Sequence, residues 1–278
     1  MMALLQQPDI GRMIFEHTAD AHFLEFPPFG RIPLPTGWTL FGIDVSPTKH
    51  VVYMLLAAIG VLVCVFAAKR SIVRRHRENR APGGFGTAIE AMVIFVRDDI
   101  VLPAMGHGGE RYLPYILTLF FFIMFCNFFG LVPWGSTATG NVAVTAGLAL
   151  ISFVVIEVSG MIALGAKGYL KTIVMVPPGM TGFGAVAMAF ILTPIEIIGK
   201  LVKPFALCLR LFANMTGGHF VILSLMGLIF IFGSWLVAGG SVALILFMMC
   251  LELLVALLQA YIFALLTSVF IGMMLHEH

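Results

Sequence analysis

Residues 51–68 read VVYMLLAAIGVLVCVFAA, a run without a single charge. At about 1.5 Å of rise per helical residue it is about 27 Å long, close to a hydrocarbon core of about 30 Å. It reads as a membrane-spanning helix. The composition extends that reading to the whole chain: of 278 residues 60% are hydrophobic and 11% charged, against about 25% charged in a soluble domain. A soluble enzyme is excluded, and the fold expected is an all-α integral membrane protein.

Further apolar runs cover 112–132, 142–165, 184–232 and 241–275. The count is about five membrane helices. As straight helices the last two would be about 73 Å and about 52 Å long, so they must be strongly tilted, bent or extended beyond the bilayer. Pro194 and Pro204 can bend the first of them, because each removes a backbone donor and crowds the carbonyl one turn back. Between residues 84 and 102, Ile89, Met92, Val93, Val96 and Ile100 share one helical face, with Glu90, Arg97, Asp98 and Asp99 largely elsewhere. That pattern fits an interfacial amphipathic helix.

Loop charges orient the chain. KRSIVRRHRENR at 69–80 follows the first span, and Lys167 and Lys171 follow the third, whereas PWGSTATGN at 133–141 and GSWLVAGG at 233–240 contain no lysine or arginine. Basic loops stay cytoplasmic. The N-terminus is therefore expected outside and the C-terminus in the cytoplasm. Residues 1–47, rich in proline, read as an extracytoplasmic arm, 48–83 as the first membrane helix with its basic loop, and 84–278 as the channel-forming membrane domain. MMALLQQPDI at 1–10 lacks the pattern of a signal peptide, and none is expected. Cys64, Cys126, Cys208 and Cys250 lie singly in apolar segments and read as small core hydrophobes. No metal and no cofactor is expected. A formal charge of +2 argues neither for nor against nucleic acid, which is not among the expected partners.

Ionisable groups inside spans are costly and need a reason. This chain has Glu157, Glu196, Lys200, Lys203, Arg210, His219 and Glu252. On a helix Glu196, Lys200, Lys203, Arg210 and Asn214 fall within an arc of about 80°, a polar stripe facing something other than lipid. The plainer reading has Lys200 and Lys203 reaching the cytoplasmic surface, with Glu196 as helix-mate to Lys200. Arg210 lies about 10 Å beyond Lys203 among leucines, with no acid three or four residues away. Its partner lies on another helix or another subunit; pairing with Glu252 or Glu157 to hold helices together is one such possibility. A guanidinium keeps its charge, so it is a poor proton relay but can favour ionisation of a passing carboxylate and block a leak. Glu252 and Gln259 share a face about 10 Å apart, as stations of a polar path or as interhelical contacts. His219 is either structural or the imidazole of a titratable pair with Glu252.

Two runs, LRLFANMTGGH at 209–219 and LLQAYIFALLTSVFIGMMLHEH at 257–278, occur together on the last two long helices. With KPFALCLRLF at 203–212 and RYLPYILTLFFFIMFCNFFGLVP at 111–133 they resemble subunit a of the F-type ATP synthases, over residues 85–278. The resemblance implies a stationary, non-catalytic proton-channel subunit facing a rotating c-ring and held by peripheral stalk subunit b in a bacterial inner membrane. It also implies two half-channels. Protons would enter past His219, Glu252, Asn214 and Gln259, ride a c-ring carboxylate, and leave near Glu196, with Arg210 separating the paths. Many bacterial members of that family have an acid at the position of His219 and a histidine at that of Glu252. This chain exchanges them, as mitochondrial-type members do, and which of the two dominates stays open. Glu157 has no role implied by the resemblance. Two rivals remain at this stage, a self-contained proton-coupled transporter and a purely structural membrane subunit.

Overall fold

Backbone amides and carbonyls cannot be left unpaired in hydrocarbon, so apolar runs of this length fold as helices. The computed structural model, which describes residues 20–26, 30–40, 43–44, 46–77, 84–132, 135–174 and 183–276, has seven α-helices among them. They are α1 (Lys49–Arg77), α2 (Phe85–Phe95), α3 (Leu102–Met105), α4 (Leu113–Leu131), α5 (Val142–Ile173), α6 (Phe183–Phe232) and α7 (Trp235–His276). Five of these, α1 and α4 to α7, are long and apolar enough to cross a membrane. The chain is an all-helical membrane protein. Expectations for residues 1–19, for Pro133 and Trp134, and for Arg80 lie outside the described residues.

The helices form two compact units. The first comprises residues 1–66, 121–144 and 211–260, the second 67–120, 145–210 and 261–278.

In the first unit Ala57 of α1, Cys126 of α4 and Ala138 form a small core, covered by Met54, Phe122, Phe125, Phe129 and Val144. Asn127 is fully buried: its Nδ2 donates to the Ala256 carbonyl of α7 at 3.2 Å, and its Oδ1 accepts from Thr139 Oγ1 at 2.9 Å. Thr137 Oγ1 meets Thr139 at 2.7 Å. This buried chain of polar contacts fixes the 135–141 connection against α4 and α7. The expected N-terminal arm contains two small antiparallel hairpins, β1 (Phe23–Phe26) with β2 (Gly30–Pro33) and β3 (Thr39–Leu40) with β4 (Ile43–Asp44). Proline in Pro33 of β2 is tolerated because a two-stranded ribbon has only edges.

In the second unit, α2 carries the expected apolar face inward, Ile89 being buried, while Arg97, Asp98 and Asp99 are exposed. The helix expected over 84–102 is interrupted by a π-helical segment, Val96–Val101, followed by α3 and a 3₁₀ stretch, Gly106–Arg111. A π turn inserts one residue into the helical period, so that Ile100 and Val101 are both turned inward and fully buried. Phe95 packs against Tyr261 of α7, ring centroids 5.9 Å apart. Tyr115 of α4 donates to Ser152 of α5 at 3.0 Å.

The connection expected over 233–240 is shorter than its composition implied: α7 begins at Trp235, and Gly239 and Gly240 are helical. Within α5 the backbone leaves helical geometry at Gly165, φ 68° and ψ 166°, where the apolar run ends. Three of the cysteines are buried as expected, whereas Cys250 is exposed on α7.

Candidate functional site

The two units place the candidate residues in different surroundings. In the first unit, Glu252 of α7 is buried, 6% exposed, and no described residue hydrogen-bonds its Oε1. Its carboxyl lies on α6 at Gly218, where an added Cβ would stand 2.6 Å from Oε1. Gly218 adjoins His219 in sequence, and the Nε2 of His219 is buried. Gln259, two turns along α7 from Glu252, is also buried, and Asn214 on α6 is half-buried.

A half-open cavity with about 30 Å³ of room for water centres, enough for an ordered water, lies beside His219. His50, Ser136, Thr137, Thr216 and His219 line it. His50, at the start of α1, was not singled out in the sequence because an ionisable residue at a span's end is ordinary. It is 3% exposed, and its Nδ1 lies 2.9 Å from the Thr137 carbonyl and 3.3 Å from Ser136 Oγ. A carbonyl only accepts, so this contact needs the proton on Nδ1. Nε2 then faces Asp20, 3.9 Å away, whose other oxygen accepts from Asn141 Nδ2 at 3.1 Å.

In the second unit the polar stripe of α6 divides. Lys200, Leu207 and Cys208 are buried, whereas Arg210 is exposed, as are Val202, Phe205, Ala206 and Leu209. The stripe therefore runs along the border of the buried face rather than facing one environment. Among the described residues of its unit, no carboxylate lies within ion-pair distance of Arg210.

Lys200 does not pair with Glu196, the helix-mate expected from spacing. Its ammonium lies 3.7 Å from Glu157 Oε2 on α5, donates to Thr172 Oγ1 at 3.3 Å, and stands 4.6 Å over the Tyr169 ring. Tyr169 donates its phenol to the same Glu157 oxygen. Burial, then the hydrogen bond and charge of Glu157, push the Tyr169 phenol up to about 12, so it stays a donor throughout the physiological range. Glu157, without a role from sequence, is thus the counter-ion of Lys200. Lys203 lies 4.9 Å over the Phe270 ring of α7, and Glu196 is half-buried.

Five helices long and apolar enough to cross a membrane, the last two carrying most of the ionisable and amide side chains, define a multi-pass membrane protein. The sequence profile of the ATP synthase A chain family matches residues 51–272. ATP synthase subunit a of Chloroherpeton thalassium is 46% identical over 257 residues, 92% of this chain and 74% of that protein. ATP synthase subunit a 2 of Chlorobaculum tepidum is 45% identical over 95% of this chain and 72% of its own length. Subunit a of Anaeromyxobacter dehalogenans is 41% identical over 97% of this chain and 71% of its own length. The chain belongs to the ATP synthase A chain family, the proton-translocating membrane subunit of the synthase's Fo sector.

Proposed function

We propose that this subunit supplies two separate proton paths to a ring of c subunits, and that Arg210 is the barrier between them. The observation that carries this reading is Arg210 itself: a permanent charge on a span, exposed among apolar side chains and without a carboxylate partner among the described residues of its unit. Such a charge at membrane depth needs a counter-ion, and a carboxylate on a passing ring subunit would supply it.

On this reading His219, Glu252, Asn214 and Gln259 serve the outer path, with the cavity at His50 as its mouth, and Glu196 serves the inner path. A guanidinium that meets each ring acid favours its ionised form, releasing the proton to the inner side. Because Arg210 cannot deprotonate, it carries no proton between the paths, and transfer requires the ring to turn. The subunit is non-catalytic and stationary, bound by peripheral stalk subunit b in the bacterial inner membrane. Residues 1–47 lie outside, 48–83 form the first helix and a cytoplasmic basic loop, 84–278 form the channel, and the C-terminus is cytoplasmic.

Cysteine cross-linking in the assembled complex tests the docking. A cysteine at Ala206, one turn from Arg210, is expected to form a disulfide with a cysteine beside the ring carboxylate. Cross-linking from exposed Leu55 of α1 instead would contradict the assignment of the ring-facing side.

A further inference from the structure

We infer that Glu157 is a positioning residue for proton exchange at Glu196: it takes up the ammonium of Lys200 and so leaves the Glu196 carboxylate open to bind and release protons. The inference rests on the reading of Glu196 as the inner-path acid.

Glu196 and Lys200 are four residues apart on α6, with the acid N-terminal to the base. That is the favoured arrangement for an ion pair within a helix. Yet Lys200 turns to Glu157. It is almost fully buried there, its side chain 8% exposed and that of Glu157 12%, and a buried charge needs a complete set of partners. The site supplies one: the carboxylate, the Thr172 hydroxyl and the face of Tyr169 all meet the ammonium.

The backbone is shaped for this contact. In an uninterrupted helix Tyr169 would stand about 18 Å along the axis from Glu157, beyond hydrogen-bond reach. The break at Gly165, with a φ of 68° that L side chains rarely adopt, redirects residues 166–173 and brings Tyr169 to Glu157 and Thr172 to Lys200.

Among the described residues of the unit, several other charges are engaged elsewhere or exposed. Lys203 lies over Phe270, Arg97 pairs with Asp98 and Glu110, and Lys167, Lys171 and Arg111 are exposed. Among the described residues of the unit, no further charged group lies within ion-pair distance of Glu157 or Lys200, and no cation lies that close to Glu196. Removing the Glu157 charge would leave Glu196, one turn away, as the acid nearest along the helix to Lys200. An ammonium beside a carboxylate favours the ionised form, so proton uptake from the inner side would then require a lower pH.

The test is passive proton flux through the whole membrane sector in inverted vesicles stripped of the catalytic head, measured against the pH of the medium bathing the cytoplasmic face. Glu157→Gln is expected to move the half-maximal pH about one unit to acid, and Glu157→Gln with Lys200→Gln to return it. Should Glu157→Gln fail to assemble, the exchanged pair, Glu157→Lys with Lys200→Glu, restores the pairing with reversed charges and is expected to keep the wild-type midpoint, whereas Lys200→Glu alone, with no cation at 157 to take it up, places a carboxylate one turn from Glu196 and is expected to move the midpoint to alkaline. A uniform loss of flux without a shift, or an exchanged pair whose midpoint moves as far to alkaline as that of Lys200→Glu alone, overturns the inference. Glu196→Gln separates the two readings. If it leaves the wild-type profile, the inner-path assignment fails and the inference falls with it. If it abolishes the titration while Glu157→Gln leaves the midpoint in place, the inference alone fails.

Discussion

Glu252 rests its carboxyl on the backbone of Gly218: a Cβ at that glycine would fall 2.6 Å from Oε1 and 2.9 Å from Cδ. Only a residue without a side chain at 218 lets this acid of α7 lie so close against α6.

Gly218→Ala must therefore displace the carboxyl, because the atoms in its way are the flexible end of a side chain. The chain is expected to assemble normally while ATP-driven pumping falls about tenfold or more, the scale on which small misplacements of reacting groups act. Gly217→Ala, which meets nothing within 4 Å, is expected to pump like the wild type. Equal pumping by the two variants in vesicles would contradict the placement of Glu252 as a proton station.

Gly272 poses the opposite case. A Cβ there would collide with the carbonyl of Ala104 in α3, backbone that cannot swing aside. Overpacking of this kind costs about 1–3 kcal/mol. Gly272→Ala is thus expected to lower the thermal stability of the purified complex, whereas Gly199→Ala, in open space on α6, should leave it unchanged or raise it slightly.

Asn127 joins α4, α7 and the 135–141 connection through its bonds to Ala256 and Thr139. Asn127→Leu leaves that carbonyl and that hydroxyl without this partner in a buried setting. The expected loss is about 1 kcal/mol per bond, read as a lower unfolding temperature of the solubilised complex with the pH dependence of proton flux intact.

Much of this architecture could be read from residue order, and the reasons are local. The runs at 112–132 and 184–232 correspond to α4 and α6 within a residue at each end, because an apolar run in hydrocarbon must pair its backbone within a helix. The isolation of Arg210 from acids on its own helix was also legible, since it depends only on spacing. The end of the third run at Gly165 was visible as a loss of apolar residues, but not the turn that follows it. Glycines 239 and 240 read as a loop because glycine breaks helices in water, yet they continue α7.

Contacts between distant segments were out of reach. Spacing offered Lys200 its neighbour Glu196, and the actual partner, Glu157, depends on the break at Gly165 and on two further side chains across it. His50 carries no motif of its own in the sequence; the fold places it in the same cavity wall as His219. Short hairpins in the N-terminal arm were hidden by prolines, which mark turns as readily as they mark irregular chain.

The most direct test of the central claim compares native Arg210 with Arg210→Ala in vesicles carrying the whole complex, measuring ATP-driven pumping and passive proton flux through the membrane sector together. If Arg210 separates the two paths, pumping is abolished and the passive leak rises. Pumping that survives, with no added leak, would make Arg210 a structural residue and contradict the account.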